Sequence, residues 1–322
     1  MFLSKIRQKE SGIIIYGICP PKAHTPIDKV LNGAEKLAKD LAGLDIDALV
    51  VYDVQDETAR TSEERPFPYV SSLDPLEYTS QYLRAVEVPK IIYRPAGMFS
   101  ADELKVWLAG VAKHNCYPVF VGLPSPDYIP KTSLSEAYAL WRSFHAEDSV
   151  IGAVTIPERH AMLKDEPVRI LDKTSNGVSF FVSQCVFHVD YATQMLDDLV
   201  QTCRQENREI PTIIFTLTIC GSVKTLQFLE WLGIYLPDAI RQELSASTKP
   251  VECSLRIATE IASQLTAWCR ERAIPFGFNV ESVAVRKEEI EASFALVNKL
   301  QRLLTDCGLR PEPALPRQKA AT

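Results

Sequence analysis

The sequence predicts a (β/α)8 barrel. Three observations predict it: eight short apolar runs, a helical pattern after each run, and a chain of 322 residues, the size at which such barrels close. The runs are 13–18 (IIIYGI), 47–53 (DALVVYD), 90–94 (KIIYR), 118–122 (PVFVG), 150–155 (VIGAVT), 179–184 (SFFVSQ), 212–217 (TIIFTL) and 275–279 (PFGFN). They are continuously apolar and do not alternate, as strands covered on both faces must be.

Helices fit between them in order. Segment 27–42 carries IDKVLNGAEKLAKDLA. At 100–103, SADE is a capping box, and it opens a helix with Leu104, Trp107, Leu108 and Val111 on one face. SLSE at 133–136 repeats the signal. Ile257, Ile261, Leu265 and Trp268 form a further stripe, whose spacing assigns them to core packing. A doubly wound open sheet is the competing architecture, but no GxGxxG follows any strand and no P-loop is present. The barrel is expected to span residues 1–308. The segment from Leu309 onward, LRPEPALPRQKAAT, lacks periodicity and is expected to form a flexible tail over 309–322.

Composition narrows the function. Apolar residues make up 46% and charged residues 24%, with a net charge of −6 and no basic block, so nucleic acid is not an expected partner. No apolar run approaches the roughly 18 residues of a membrane span. The first residues, MFLSKIRQKES, carry no apolar core of a signal peptide, which predicts a cytoplasmic protein. The eight cysteines form no CxxC pair and several lie in apolar runs, which predicts reduced thiols. The five histidines show neither HxxxH nor HExxH spacing, so no metal is expected.

In a barrel, chemistry collects at the C-terminal strand ends. Those ends are Gly17–Cys19, Tyr52–Glu57, Tyr93–Arg94, Gly122–Ser125, Glu158–His160, Ser183–Gln184, Thr216–Thr218 and Asn279–Glu281. Gly17 is an odd residue there. It brings no side chain to a place where one is useful, which fits either a close approach at a pocket floor or a β-bulge turning toward Pro20-Pro21. Glu281, charged between apolar neighbours just past strand eight, is a better site candidate than a glutamate on a helix surface. Asp53, Asp56, Glu57, Glu63 and Glu64 place several carboxylates near one strand mouth, where burial or like charge would raise a pKa. A solvated acidic loop is the plainer expectation for them.

Several of these segments resemble the methylenetetrahydrofolate reductase family. YGICPPK at 16–22 looks like its first strand, IPERH at 156–160 is similar to its Pro-Glu-x-His segment, and LDKTSNGVSFFVSQCVFHVD at 171–190 resembles its strand-six block. The resemblance runs from roughly residue 12 to 300 in strand order. It implies a (β/α)8 barrel that reduces methylenetetrahydrofolate to methyltetrahydrofolate with NAD(P)H in one-carbon metabolism, using FAD. It implies that Gln184 contacts the pterin, and Gly17, Tyr52 and Asn279, as strand-end residues, are expected to line the substrate beside it. It also implies that His160, Glu166 and Lys173 lie against the flavin cofactor.

The departures are as informative. Gly17 stands where the family has its proton-donating glutamate. GLPSPD at 122–127 replaces the family's Arg-Gly-Asp, leaving Leu123, Pro124 and Ser125 in that region and Asp127 late. Lys90 replaces a histidine, and Thr225 and Leu229 stand for a glutamine and a phenylalanine. The resemblance therefore implies an atypical reductase that binds FAD weakly or not at all, with Glu57 first and Glu281 second as the substitute acid. The alternatives are a folate- or pteridine-binding barrel without reductase activity, or a one-carbon transfer enzyme acting in demethylation. Oligomeric state is not legible.

Overall fold

The computed structural model describes residues 2–123, 128–144, 150–283 and 286–312. Asp127 and its neighbours Pro124 and Ser125, and the tail from 313, lie outside the described residues. Eight parallel strands pair in chain order and close into a barrel: β1 (Ile13–Ile18), β2 (Ala48–Val51), β3 (Lys90–Pro95), β4 (Cys116–Val121), β5 (Gly152–Thr155), β6 (Phe180–Cys185), β7 (Thr212–Thr218) and β8 (Phe276–Glu281). Each lies within two residues of its predicted run at either end.

One end matters for the site. Strand eight does not stop at Asn279 but continues to Glu281, because the ladder holds on both sides: Glu281 pairs with Gly17 of β1 and with Thr218 of β7. Glu281 is therefore a strand residue and not a loop residue. Nor does β1 bulge at Gly17. Its register runs unbroken through Gly17↔Val50 and Gly17↔Glu281.

The helices are α1 (Phe2–Gln8), α2 (Ile27–Leu41), α3 (Pro75–Tyr82), α4 (Ala101–Lys113), α5 (Leu134–Phe144), α6 (Pro157–Leu163), α7 (Glu166–Ser175), α8 (Val189–Gln205), α9 (Val223–Trp231), α10 (Asp238–Ala246), α11 (Pro250–Glu271) and α12 (Lys287–Asp306). Local signals set their starts. The Ser100 hydroxyl accepts from Glu103 N, and the Glu103 carboxylate accepts from Ser100 N at 2.7 Å, the reciprocal pair that SADE predicts. Ser133 and Glu136 repeat it at 3.2 and 2.8 Å. Asp74 caps α3 by accepting from Leu76 N and Glu77 N.

Burial separates into two layers. Ile13, Ile15, Ala48, Val50, Ile91, Val119, Phe180, Val182 and Ile214 fill the barrel interior. Their sequence neighbours Ile14, Leu49, Ile92, Phe120, Phe181 and Ile213 pack outward beneath the helices. Both strand faces are dry, which is why the runs show no alternation.

The N-terminal end of the barrel is plugged. Phe2 and Ile6 of α1 enter the inner cluster, Phe2 lying 5.5 Å from Phe180 and 5.8 Å from Tyr117 between ring centroids. Beside the plug, the fully buried carboxylate of Asp47 accepts from Ile14 N at 2.8 Å and meets Lys5 Nζ at 2.8 Å and the Arg310 guanidinium. Arg310 also donates to the carbonyls of Gly12 and Asp45. The described start of the predicted tail, 309–312, is thus tied to the barrel: Arg310 is 5% exposed, and the Pro311 carbonyl accepts from Gln301 and Thr305. These bonds anchor this part to the N-terminal end of the barrel, beside the plug.

Candidate functional site

At the C-terminal end, polar groups replace the apolar filling. β8 presents Asn279 and Glu281 inward, β7 presents Thr216, and β2 hands over to Tyr52. The fully buried Asn279 donates from Nδ2 to the Tyr52 hydroxyl at 2.8 Å and to Thr216 Oγ1 at 3.1 Å. Tyr52 donates onward to the Glu281 carboxylate. The rings of Tyr52 and Tyr93 meet edge-on, with centroids 4.8 Å apart.

Gly17 has a specific job in this arrangement. A Cβ at that position would stand 2.7 Å from the Tyr52 ring, 3.0 Å from its hydroxyl and 3.2 Å from Glu281 Cβ. The missing side chain is the space that Tyr52 occupies. Glu281 is Gly17's direct partner on the neighbouring strand. The floor therefore has its carboxylate, delivered from β8. A glutamate at position 17 would displace Tyr52 from Asn279.

A β-bulge completes the floor. The β6–β7 register slips between Val182 and Cys185, placing Cys185 opposite Thr216. Ser183 repairs the broken ladder, its Oγ accepting from Thr216 N at 2.9 Å while Thr216 Oγ1 donates to Ser183 O at 2.6 Å. The bulge turns the Cys185 thiol toward Glu281 Oε1, 3.2 Å away. Re-aiming a side chain beside a site is what bulges commonly do. Burial raises Glu281 above the ordinary carboxylate range, outweighing the hydrogen bonds from Tyr52, Cys185 and Asn279. Burial likewise holds Tyr52, Tyr93 and Cys185 protonated as donors.

Glu158, at the start of α6, is a second carboxyl near this floor, and its charge acts on Cys185. Its Oε2 is buried with no hydrogen-bond partner. Burial pushes Glu158 up to about 7. Because the folded pKa lies above the unfolded one, its contribution to stability is complete below about pH 4.3 and is lost as pH rises through about 7. Glu158→Gln removes the buried charge. The variant is expected to be more stable than the parent by about 1–3 kcal/mol at about pH 8 and nearly equal to it near pH 4. Thermal melts at the two pH values check this, and equal shifts at both would refute it.

The other predicted residues divide. Gln184 is half-buried at the bulge, and its Oε1 accepts from Cys185 N at 3.1 Å, so half of its amide is already engaged. Glu57 belongs to the β2–α3 loop, at the start of the 3-10 turn Thr58–Arg60. It is therefore not the residue that stands beside Gly17. In the same loop Asp56, Glu63 and Glu64 are exposed, as expected of a solvated acidic run, whereas Asp53 is bonded to Arg94 at 2.8 Å.

His160, Glu166 and Lys173 do not converge on the floor. His160 is buried, with Nε2 2.8 Å from Asp198 of α8. Glu166 is fully buried, accepts from Ile156 N at 3.1 Å and faces Arg159. Lys173 donates to the Val154 carbonyl at 2.7 Å, and burial pushes it down to about 8. Through these bonds all three brace the helices α6 to α8 against β5 and against one another, while His160 Nδ1 is buried with no hydrogen-bond partner. Their side-chain partners all come from β5 and α6 to α8, and none is a floor residue.

Sequence reasoning missed Cys185. Its signal, a cysteine one residue past the strand-end pair Ser183–Gln184, means nothing until the bulge is known. It named Glu158 only as a strand-end residue. Among the described residues, no cluster of metal-ligating side chains exists, all eight cysteines are unpaired, and no helix is long and apolar enough to cross a membrane.

No family model matches the chain, and no curated protein matches it. Among solved structures, an uncharacterized protein from Clostridium thermocellum that binds two copies of 5-methyl-5,6,7,8-tetrahydrofolic acid is 38% identical. The match covers 92% of this chain and 98% of that one, with a TM-score of 0.81. A GH113 β-1,4-mannanase superposes with a TM-score of 0.51 at 12% identity, covering 91% of this chain and 98% of that one, and shows the barrel alone.

Proposed function

Because the chain belongs to the family of that Clostridium thermocellum methyltetrahydrofolate-binding protein, we propose that it binds a reduced folate in the mouth of its barrel. The full-length match carries this reading. The floor supports it chemically. A pterin edge offers donors and acceptors side by side, and Glu281, Tyr52 and Gln184 offer the complementary set, with the buried Asn279 holding Tyr52 in place. Purified protein titrated with 5-methyltetrahydrofolate is expected to bind it, and absence of binding by calorimetry would overturn the proposal.

FAD is not part of this reading. Glu166 and Lys173 are engaged by internal bonds and His160 by one at Nε2, and no submicromolar FAD binding is expected by equilibrium dialysis.

A second reading, reduction of methylenetetrahydrofolate with NAD(P)H, is favoured by one observation. A carboxyl with a raised pKa stands directly beside Gly17, where the resembling family carries its acid. In this reading Glu281 holds the proton and delivers it to the substrate nitrogen as the ring opens, while Tyr52 and Asn279 orient it. Folate-dependent NAD(P)H oxidation separates the enzyme from the binder.

A further inference from the structure

At the rim, three residues past Cys185, lies an aromatic cluster outside the floor. The His188 and Tyr191 rings stack 3.7 Å apart at an interplanar angle of 3°. Tyr235 leans on both, with centroids 5.6 Å away. His188 stands at the start of α8, Tyr191 in its first turn, and Tyr235 in the connection between α9 and α10. Tyr235 is 44% exposed, and His188 and Tyr191 are only half-buried. Among the described residues, no protein group bonds either tyrosine hydroxyl. Packing alone does not require this. A cluster that only sealed α8 against α9 would be dry, as Phe215 and Phe278 are.

We propose that His188, Tyr191 and Tyr235 form a stacking platform for the aminobenzoyl ring of a folate whose pterin occupies the floor. The inference rests on the folate reading and deepens it. Three residues of chain reach at most about 10 Å. Cys185 touches Glu281, so the platform begins within that reach of the floor. A folate carries two flat rings joined by a two-atom bridge, so its second ring lies within the same reach of its pterin. Aromatic faces hold such a ring by offset stacking, with little loss of side-chain freedom because the platform is already assembled.

The test is calorimetric titration of the full chain with 5-methyltetrahydrofolate and with a tetrahydropterin lacking the aminobenzoylglutamate. Tyr191→Leu and Tyr235→Leu are each expected to weaken folate binding about tenfold, with tetrahydropterin binding unchanged. Tyr191→Phe, which keeps the stacking face, is expected to bind folate as the parent does, with melting temperature as the control for folding. Parent-like folate affinity in both leucine variants overturns the platform while leaving the folate reading intact. Loss of one bound folate per chain with the remaining affinity unchanged also overturns it, because the platform then holds a separate molecule. If the parent binds neither ligand, the folate reading itself fails and the platform falls with it.

Discussion

Asp47→Ala is expected to lower the unfolding free energy by about 3–5 kcal/mol, the magnitude seen when one partner of a buried ion pair is removed. The reason is the count of groups that a single carboxylate satisfies. Lys5 from α1, the Ile14 amide from β1 and Arg310 from beyond α12 all converge on Asp47, which is fully buried. Without it, two cations remain in a dry site with no anion, except where Arg310 turns fully to Asp45. The Ile14 amide also loses its side-chain acceptor. Asp47→Asn keeps an acceptor for Ile14 but not the charge, so it is expected to fall between parent and alanine variant. Denaturant unfolding measures both. A loss below about 1 kcal/mol for Asp47→Ala would place the convergence among ion pairs of no consequence.

Glu281→Ala is expected to weaken folate binding by about ten- to a hundredfold, since hydrogen bonds to a charged or polarised group contribute about 1.5–3 kcal/mol. Glu281→Gln is expected to lose less, because an amide still donates and accepts at the same place. If reductase activity is present, the two measurements separate. The glutamine variant keeps binding but loses turnover, having no transferable proton. The raised pKa gives the direction in pH: the carboxyl stays protonated above the usual carboxylate range, so proton-dependent steps persist to higher pH than an exposed glutamate would allow. Full folate affinity in Glu281→Ala would remove the floor from the site.

The architecture is legible in local patterns of the chain. Apolar runs, capping boxes and the stripe at Ile257, Ile261 and Leu265 are local signals. They survive translation into structure because a strand dry on both faces has no other way to be written. The Ser100–Glu103 and Ser133–Glu136 caps involve residues three apart, and the chain brings them together without help from the rest of the fold. Gly17 was also legible as a position where something approaches closely. What approaches was not, because Tyr52 and Glu281 reach Gly17 through strand pairing across gaps of 35 and 264 residues. Glu57 is nearer to Gly17 in sequence than Glu281 is, yet the register of β8 against β1 stands Glu281 beside it. The same holds for Cys185, which a one-residue slip in the β6 ladder turns inward, and for His160, Glu166 and Lys173, whose chemistry suits a cofactor but whose partners are Asp198, Ile156 and Val154. Only tertiary structure settles such cases. A polar side chain can bond equally to a ligand or to the fold, and which bond it makes depends on what distant strands and helices place within about 3 Å of it.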